Sequence, residues 1–521
     1  MPSQANPPVP QSPAPQSRVP HRTLITICAM AATLMQALDS TIANVALPYM
    51  QGSLSASTDQ ITWVLTSYIT AAAIMTAPVG WLSNRFGQKA VFLVSLIGFT
   101  VTSMLCGIAG SLGEIVLFRL LQGVFGAALV PLSQSTMLEI YPPEQRGSAM
   151  AIWGMGVMIG PILGPTLGGY LTEFYNWRFV FFVNLPFGVL AAAGLGAFLP
   201  RTEPRPGLRF DWTGFGLFAI GIAGLQLMLD RGETKDWFGS TEIVIEAVMA
   251  GLGLYLFVVH LATSDQPFVH PRIFRDRNLA VGLAVMFAVG LLLLAVSALL
   301  APWLQELGHY PVEAAGLAMA PRGIGTMAAM LIAARLANRV DGRLLMGIGV
   351  AILAWSLWRM TGWTPAVAES EVVVNAVIQG FGFGFVFLPL QVIAFATLEP
   401  ALRTEGTALL SLLRNIGMAI GVSVTEALLT RNTQIEHSVL AGYVTTLNRA
   451  LGGGTLAHVL SLTTPLGAQA VDAMVNQQAQ IIAYNDDFKL MMLTTLPILL
   501  LLPLLRGQPG GTPGSHAAIM E

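Results

Sequence analysis

Apolar residues fill this chain in blocks of about twenty, the length that carries an α-helix across roughly 30 Å of hydrocarbon, and short polar turns separate the blocks. From Thr23 to Arg506 they predict about fourteen spans, so the fold class expected is an all-α polytopic membrane protein. Two blocks carry a polar stripe. In the first, Thr33, Gln36, Ser40 and Asn44 recur at three- or four-residue spacing with Asp39 beside them. In the fourth, Arg119 is followed along one face by Gln122, Gly123, Gly126, Ser133 and Gln134. A helix in lipid turns such a face toward the bundle interior or a watery cavity.

The fifth block is punctuated by Gly156, Gly160, Pro161, Gly164, Pro165, Gly168 and Gly169, yet is otherwise apolar enough for a bilayer. Small residues every three or four positions let helix backbones approach closely in a membrane. Proline is tolerated there because neighbouring groups re-satisfy the freed carbonyl. The segment therefore predicts a tightly packed transmembrane helix.

Two regions resemble each other at a nearly constant offset. Leu82-Ser83-Asn84-Arg85 with Lys89 recurs as Leu336-Ala337-Asn338-Arg339 with Arg343, Gln122-Gly123 as Gln379-Gly380, Pro131 as Pro389, and Gly156 and Gly160 as Gly417 and Gly421. Such ordered self-similarity reports architecture. Lys and Arg number about sixteen in one set of loops, including Arg18, Arg22, Arg85, Lys89 and Arg146, against about seven in the other, which predicts both termini to be cytoplasmic. The matched loops then share one side, so an even number of spans separates the repeats. Two six-helix bundles joined by two inserted helices satisfy that parity. The expected division is a disordered cytoplasmic tail over 1–21, an N-terminal bundle over 22–200, two linker helices over 201–275, a C-terminal bundle over 276–506 and a second tail over 507–521. The C-terminal bundle includes a long periplasmic loop over 431–487, broken at Gly452-Gly453-Gly454, for which a helical hairpin outside the membrane is plausible. Partner docking, gating and simple solvation are all open roles for it.

Composition narrows the class of function. Hydrophobic residues make up 54% of the 521, charged residues 10%, and the mean hydropathy is +0.66. A net charge of -2 and the lack of a basic patch interleaved with aromatics argue against a nucleic-acid partner. Cys28 and Cys106 lie far apart in apolar segments and read as packing residues. The seven His show no ligand spacing, and no phosphate-binding loop or nucleophile elbow appears. Neither enzyme activity, a metal, a cofactor nor direct use of ATP is expected.

Asp39 is the first candidate for chemistry. A carboxylate at the centre of a membrane helix costs about 2.5–3.5 kcal/mol on insertion scales, so it requires a partner or a proton. Either state suits a proton carrier, and a structural hydrogen bond or helix cap is the plainer alternative. Arg119 is the second: its repeat-equivalent position, near Ala376 and Val377, carries no arginine, so the symmetric fold does not demand the charge. It either pairs with a carboxylate in the cavity or snorkels to the outer interface. Gln379, Phe383, Phe387 and Gln391 join Gln36, Ser40, Asn44, Gln122 and Gly126 as expected cavity and substrate residues. Gly80, Asn84, Arg85, Gly87 and Lys89 form a cytoplasmic loop that either gates or merely sets topology. Glu246 and Glu426 are expected at hydrated outer helix ends, Arg322 at a helix break or end, and Arg414 within a span with its role open.

The segment Leu38-Asp39-Ser40-Thr41-Ile42-Ala43-Asn44-Val45-Ala46-Leu47-Pro48, the run from Gly156 to Gly169, and Asn176-Trp177-Arg178-Phe179-Val180-Phe181-Phe182-Val183-Asn184-Leu185-Pro186-Phe187-Gly188 together resemble motifs of the major facilitator superfamily. Within it they resemble the fourteen-span drug:proton antiporter family of the EmrB/QacA type, over nearly the whole chain. The resemblance implies the major facilitator fold and proton-driven export of hydrophobic and amphiphilic compounds, with Asp39 as protonation site and Arg119 as the charge of the fourth-span motif. It also implies residence in a bacterial inner membrane and work with a periplasmic adaptor protein and an outer-membrane channel. One departure is Asn84, with Asn338 in the repeated loop, where the family usually has an acid; a hydrogen-bonding cap then stands in for a charged latch. A proton-coupled importer or facilitator of small nutrients shares this fold, and a receptor or scaffold binding through 431–487 is the alternative from another class.

Overall fold

The computed structural model describes residues 21–142, 145–205, 207–336, 339–444 and 464–506, and within them every regular element is helical. The first half comprises α1 (Arg22–Ser53), α2 (Trp63–Thr76), α3 (Val79–Phe86), α4 (Gln88–Ile108), α5 (Leu112–Gly126), α6 (Leu129–Ile140), α7 (Arg146–Phe174) and α8 (Asn184–Phe198). Two further helices, α9 (Trp212–Arg231) and α10 (Thr241–Thr263), precede α11 (Arg277–Leu293), α12 (Pro321–Leu336), α13 (Gly342–Met360), α14 (Glu369–Ala394), α15 (Arg403–Gly442) and α16 (Pro465–Leu501). Among the described residues twelve helical stretches are long and apolar enough to cross a membrane, and α2 with α3, bent by 57°, makes a thirteenth. Pro78 stands in the break, where a ring without an N–H cannot continue the ladder. Helix α7, 29 residues long, has its charges only near its ends, at Arg146 and Glu173.

Helix starts are fixed locally by side chains that accept the orphan amides of the first turn. Ser111 caps Glu114, Asp211 caps Gly214 and Asp276 caps Leu279. Burial then sorts the faces. Leu190, Leu500 and Val94 are among many large apolar side chains left exposed, which is stable in hydrocarbon and not in water.

The internal repeat reappears as a repeat of contacts. In the first half α1 packs along α7 and α2 along α5; in the second, α11 packs along α15 and α12 along α14. The glycines make the same approach in both. A Cβ at Gly160 would lie 2.5 Å from the Ala37 side chain on α1, and one at its repeat partner Gly421 would collide with the Leu291 carbonyl on α11. Linker helices α9 and α10 pack on each other through Gly221, Gly224 and Gly253, and Asp211 closes their ends through His260 at 2.9 Å.

The stretch expected as a loop over 431–487 is largely helical. Helix α15 continues to Gly442, and α16 begins at Pro465. Forty residues of α15 span about 60 Å, roughly twice the hydrocarbon thickness, so the helix extends well beyond it. These polar stretches lack a strong apolar period, but a helix already nucleated by its membrane segment propagates cheaply. Gly452-Gly453-Gly454 lies outside the described residues, as do the two tail segments 1–20 and 507–521 and Asn338.

Candidate functional site

The two bundles hydrogen-bond to each other at one end. Gln134 donates to Gln391, the Ser135 and Thr404 hydroxyls lie 2.8 Å apart, and Thr407 donates to the Pro131 carbonyl at 3.1 Å. Trp153 stacks on Phe387 with ring centroids 6.4 Å apart, and donates to Ser133 at 3.1 Å. Gly80 belongs to this end: a Cβ there would lie 2.8 Å from the Glu405 backbone, so only glycine lets α3 meet α15 this closely. Glu405 in turn accepts from the His270 amide at 2.6 Å, which ties the linker to the same seam.

Deeper in the first bundle, Asp39 and Arg119 are both wholly buried and face each other, with Arg119 Nη1 donating to Asp39 Oδ2 at 2.6 Å. The other carboxylate oxygen, Oδ1, accepts from Gln122 Nε2 at 2.8 Å and Asn184 Nδ2 at 3.1 Å. Arg119 further donates through Nη1 to Gln122 Oε1 at 2.9 Å and through Nε to the Val64 carbonyl at 3.1 Å, and its plane lies over the Tyr68 ring at 4.2 Å. Asn184 also donates to Ser103 Oγ at 2.9 Å, and Ser103 donates to the Phe181 carbonyl at 2.9 Å. Buried charges survive only where pairing and hydrogen bonds replace water, and this cluster, built from α1, α4, α5 and α8, supplies both. Taking a proton onto Asp39 removes its charge and leaves Arg119 with neutral partners only. The cluster thus has two electrostatic states separated by one proton.

The polar stripe of the first span divides. Asp39 turns toward α5, Gln36 donates to the Tyr68 hydroxyl at 3.2 Å, and Ser40 donates back to the Ala37 carbonyl at 2.9 Å. Asn44 is exposed and joins none of them. Gly126 packs against Phe99 and the Tyr68 hydroxyl, part of the same wall. On the second bundle Gln379 and Phe383 are buried, and Arg322 lies over the Phe383 ring at 4.8 Å. Gly164 meets Thr41, Gly168 meets Ile42 and Gly156 meets Met30, while Gly169 faces open space. The side chains of Pro161 and Pro165 lie outside the described residues.

The segment expected as a loop is the short helix α3, a turn at Gly87 and the first residues of α4, with Gly80, Asn84 and Arg85 on the helix, and it is held by the segment leading to the linker. The Arg205 amide donates to the Asn84 carbonyl at 2.9 Å, Trp81 Nε1 to the Arg209 carbonyl at 3.1 Å, and Lys89 Nζ to the Leu199 and Gly196 carbonyls at 2.6 and 2.8 Å. Gly87 turns the chain at φ 87° with the Thr202 carbonyl 2.7 Å from where a Cβ would stand. The Arg85 guanidinium lies 5.9 Å from the Phe86 ring. Glu246, expected to be hydrated, is instead buried beside Arg231 at 3.8 Å; Glu426 is exposed. The snorkelling alternative for Arg119 fails on its complete burial. Sequence reasoning passed over Asn184, although an amide in the apolar run Phe179–Phe198 is itself a signal. Among the described residues no three His, Cys, Asp or Glu cluster in a way that would hold a metal.

Sequence comparison decides the family: the sequence model described as Major Facilitator Superfamily matches residues 29–422. The chain belongs to the major facilitator superfamily. The "Multidrug export protein EmrB" of Escherichia coli K12 is 36% identical over 471 residues, covering 89% of this chain and 91% of that protein. The "Probable multidrug resistance protein EmrY" of the same organism is 33% identical over 478 residues, covering 89% and 92%. Among solved structures the proton:xylose symporter XylE superposes with a TM-score of 0.56 at 14% identity over 92% of this chain and 95% of that one, a likeness of fold. This major facilitator protein is therefore a multi-pass membrane transporter of small molecules and not an enzyme.

Proposed function

We propose that the chain is a proton-driven multidrug exporter of the bacterial cytoplasmic membrane, expelling hydrophobic and amphiphilic compounds by alternating access. The observation that carries the coupling is the buried Asp39–Arg119 pair with Gln122 and Asn184 around it. In this reading Asp39 exchanges its proton when the bundles rock, and Arg119 holds the deprotonated state until a proton replaces it. The relatives EmrB and EmrY, multidrug proteins by name, support the direction and cargo.

Both termini lie in the cytoplasm, residues 22–200 and 276–506 are the two moving bundles, and 201–275 is an insertion that steadies the short helix α3 around Gly80. Gln134, Ser135, Gln391 and Thr404 then form the cytoplasmic gate in its closed state. Gly156 through Gly169 keep α7 tight against α1 so that the first bundle moves as one body. The extensions of α15 and α16 beyond the membrane are the surface for a periplasmic adaptor protein, which would pass cargo to an outer-membrane channel.

Substrate-dependent proton movement in everted vesicles tests the coupling. Wild-type protein should dissipate an imposed proton gradient on addition of an exported drug, and Asp39→Asn should not. Drug export that persists undiminished in Asp39→Asn would remove the carboxylate from the mechanism.

A further inference from the structure

The second bundle holds a sealed carboxyl that the Asp39–Arg119 pair does not involve. Asp487 on α16 is 1% exposed, and neither of its carboxyl oxygens has a hydrogen-bond partner among the described residues. Asp39 is the opposite case, with both oxygens filled by Arg119, Gln122 and Asn184. The two acids hold related stations. Asp487 stands about 21 Å along the axis from Leu501, the end of α16, and Asn184 stands about 21 Å from Phe198, the end of α8. Helix α16 packs on α13 and α11 as α8 packs on α4 and α1. Asp487 therefore occupies in the second bundle the place from which Asn184 serves Asp39 in the first.

Charge around Asp487 is of its own sign. Its neighbour Asp486 is exposed, and Tyr484, three residues earlier, lies in the fields of Asp487 and of the exposed acids Glu306 and Glu426. Glu306 comes from the π-helical turn Trp303–Leu307 and Glu426 from α15, and both elements pack against α16. Arg359, the cation near the outer end of α13, is taken by Glu371 at 3.0 Å. No Lys, Arg or His among the described residues lies within ion-pair distance of Asp487. A carboxylate sealed from water without donor or cation is costly, and negative neighbours add to that cost. The neutral acid is the form this site accommodates.

We propose that Asp487 is a second proton-carrying residue of the transport cycle, loaded in this conformation while Asp39 is ionised. The proposal rests on the export reading and adds to it a proton site on the other bundle. When the bundles rock, water that reaches Asp487 stabilises its carboxylate; the O–H bond breaks and the proton passes to that water. Asp487 reloads from the outer face, where Asp486, Glu306 and Glu426 raise the local proton concentration.

Infrared difference spectra of the full-length protein in lipid nanodiscs, near neutral pH, read the loaded state directly. A carbonyl-stretch band of a protonated carboxyl should be lost in Asp487→Asn and kept in Asp39→Asn. Asn has nearly the shape of the neutral acid, so Asp487→Asn should unfold at the wild-type temperature. In proteoliposomes loaded with ethidium, the number of protons moved per dye should drop in Asp487→Asn and return in Asp487→Glu. A spectrum that Asp487→Asn leaves unaltered overturns the proposal, as does an unchanged proton-to-dye ratio in that variant while wild type stays coupled. Wild type that moves the dye with no accompanying proton overturns the export reading and this coupling with it, an outcome distinct from the other two.

Discussion

Asn184 lies 3.1 Å from Asp39 and completes the shell of a carboxylate held also by Arg119 and Gln122. Its amide nitrogen reaches Asp39 Oδ1 and Ser103 Oγ together, so α8 and α4 are both tied to the acid on α1. Replacing Asn184 by Ala removes one donor to a buried charge, a loss on the order of 1–3 kcal/mol. Export by Asn184→Ala should fall about tenfold and stay above that of Asp39→Asn, as measured by drug efflux from energised cells at matched expression. Asn184→Asp, which adds a second acid beside the first, should be worse than Asn184→Ala.

The pair itself predicts an asymmetry between single and double variants. Removing Arg119 strands a buried carboxylate, and breaking such a pair costs about 3–5 kcal/mol. Arg119→Gln should lower the thermal unfolding midpoint of the purified protein markedly. Combining it with Asp39→Asn should restore most of the loss, because the pair is then neutral on both sides. Transport stays absent in the double variant, so stability and coupling separate in the same molecule.

Glycine positions in α7 differ in what a side chain would meet. At Gly164 a Cβ runs into Thr41 of α1, whereas Gly169 has open space. Gly164→Val should abolish properly folded protein in the membrane fraction, and Gly169→Ala should leave both yield and export within error of wild type. A regular motif in the sequence thus hides positions of unequal weight.

Much of this architecture is legible in the sequence because lipid imposes a simple rule: apolar blocks of helix length must cross, and polar residues inside them must have partners. The offset repeat led from Gly160 and Gly421 to two bundles whose matching helices pair alike. Asp39 and Arg119, 80 residues apart, were each visible as costly charges, but the direction each side chain takes was not. Asn44 shares the stripe and faces away, because three- or four-residue spacing fixes a face only to within a broad arc. The extensions of α15 and α16 escaped the apolar count for another reason: their helicity continues from the spans and not from a period of their own.

The seam between the bundles gives the most direct handle on motion. The Ser135 and Thr404 oxygens are 2.8 Å apart, a separation that brings their Cβ atoms near the range a disulfide requires. With Cys28 and Cys106 first replaced by Ala, Ser135→Cys combined with Thr404→Cys should form a crosslink under mild oxidation, seen as altered mobility after cleavage between the two bundles. If the bundles must part at this end to load cargo from the cytoplasm, the oxidised protein should lose export and regain it on reduction. Cysteines at Val94 and Leu190, both exposed on lipid-facing helices, supply the control, since oxidation of either single variant should leave export untouched. A crosslinked transporter that still exports at the uncrosslinked rate would mean that cargo enters without opening this seam, and the gate would then have to be sought elsewhere along α7 and α12, where Gly154 rests on Met330.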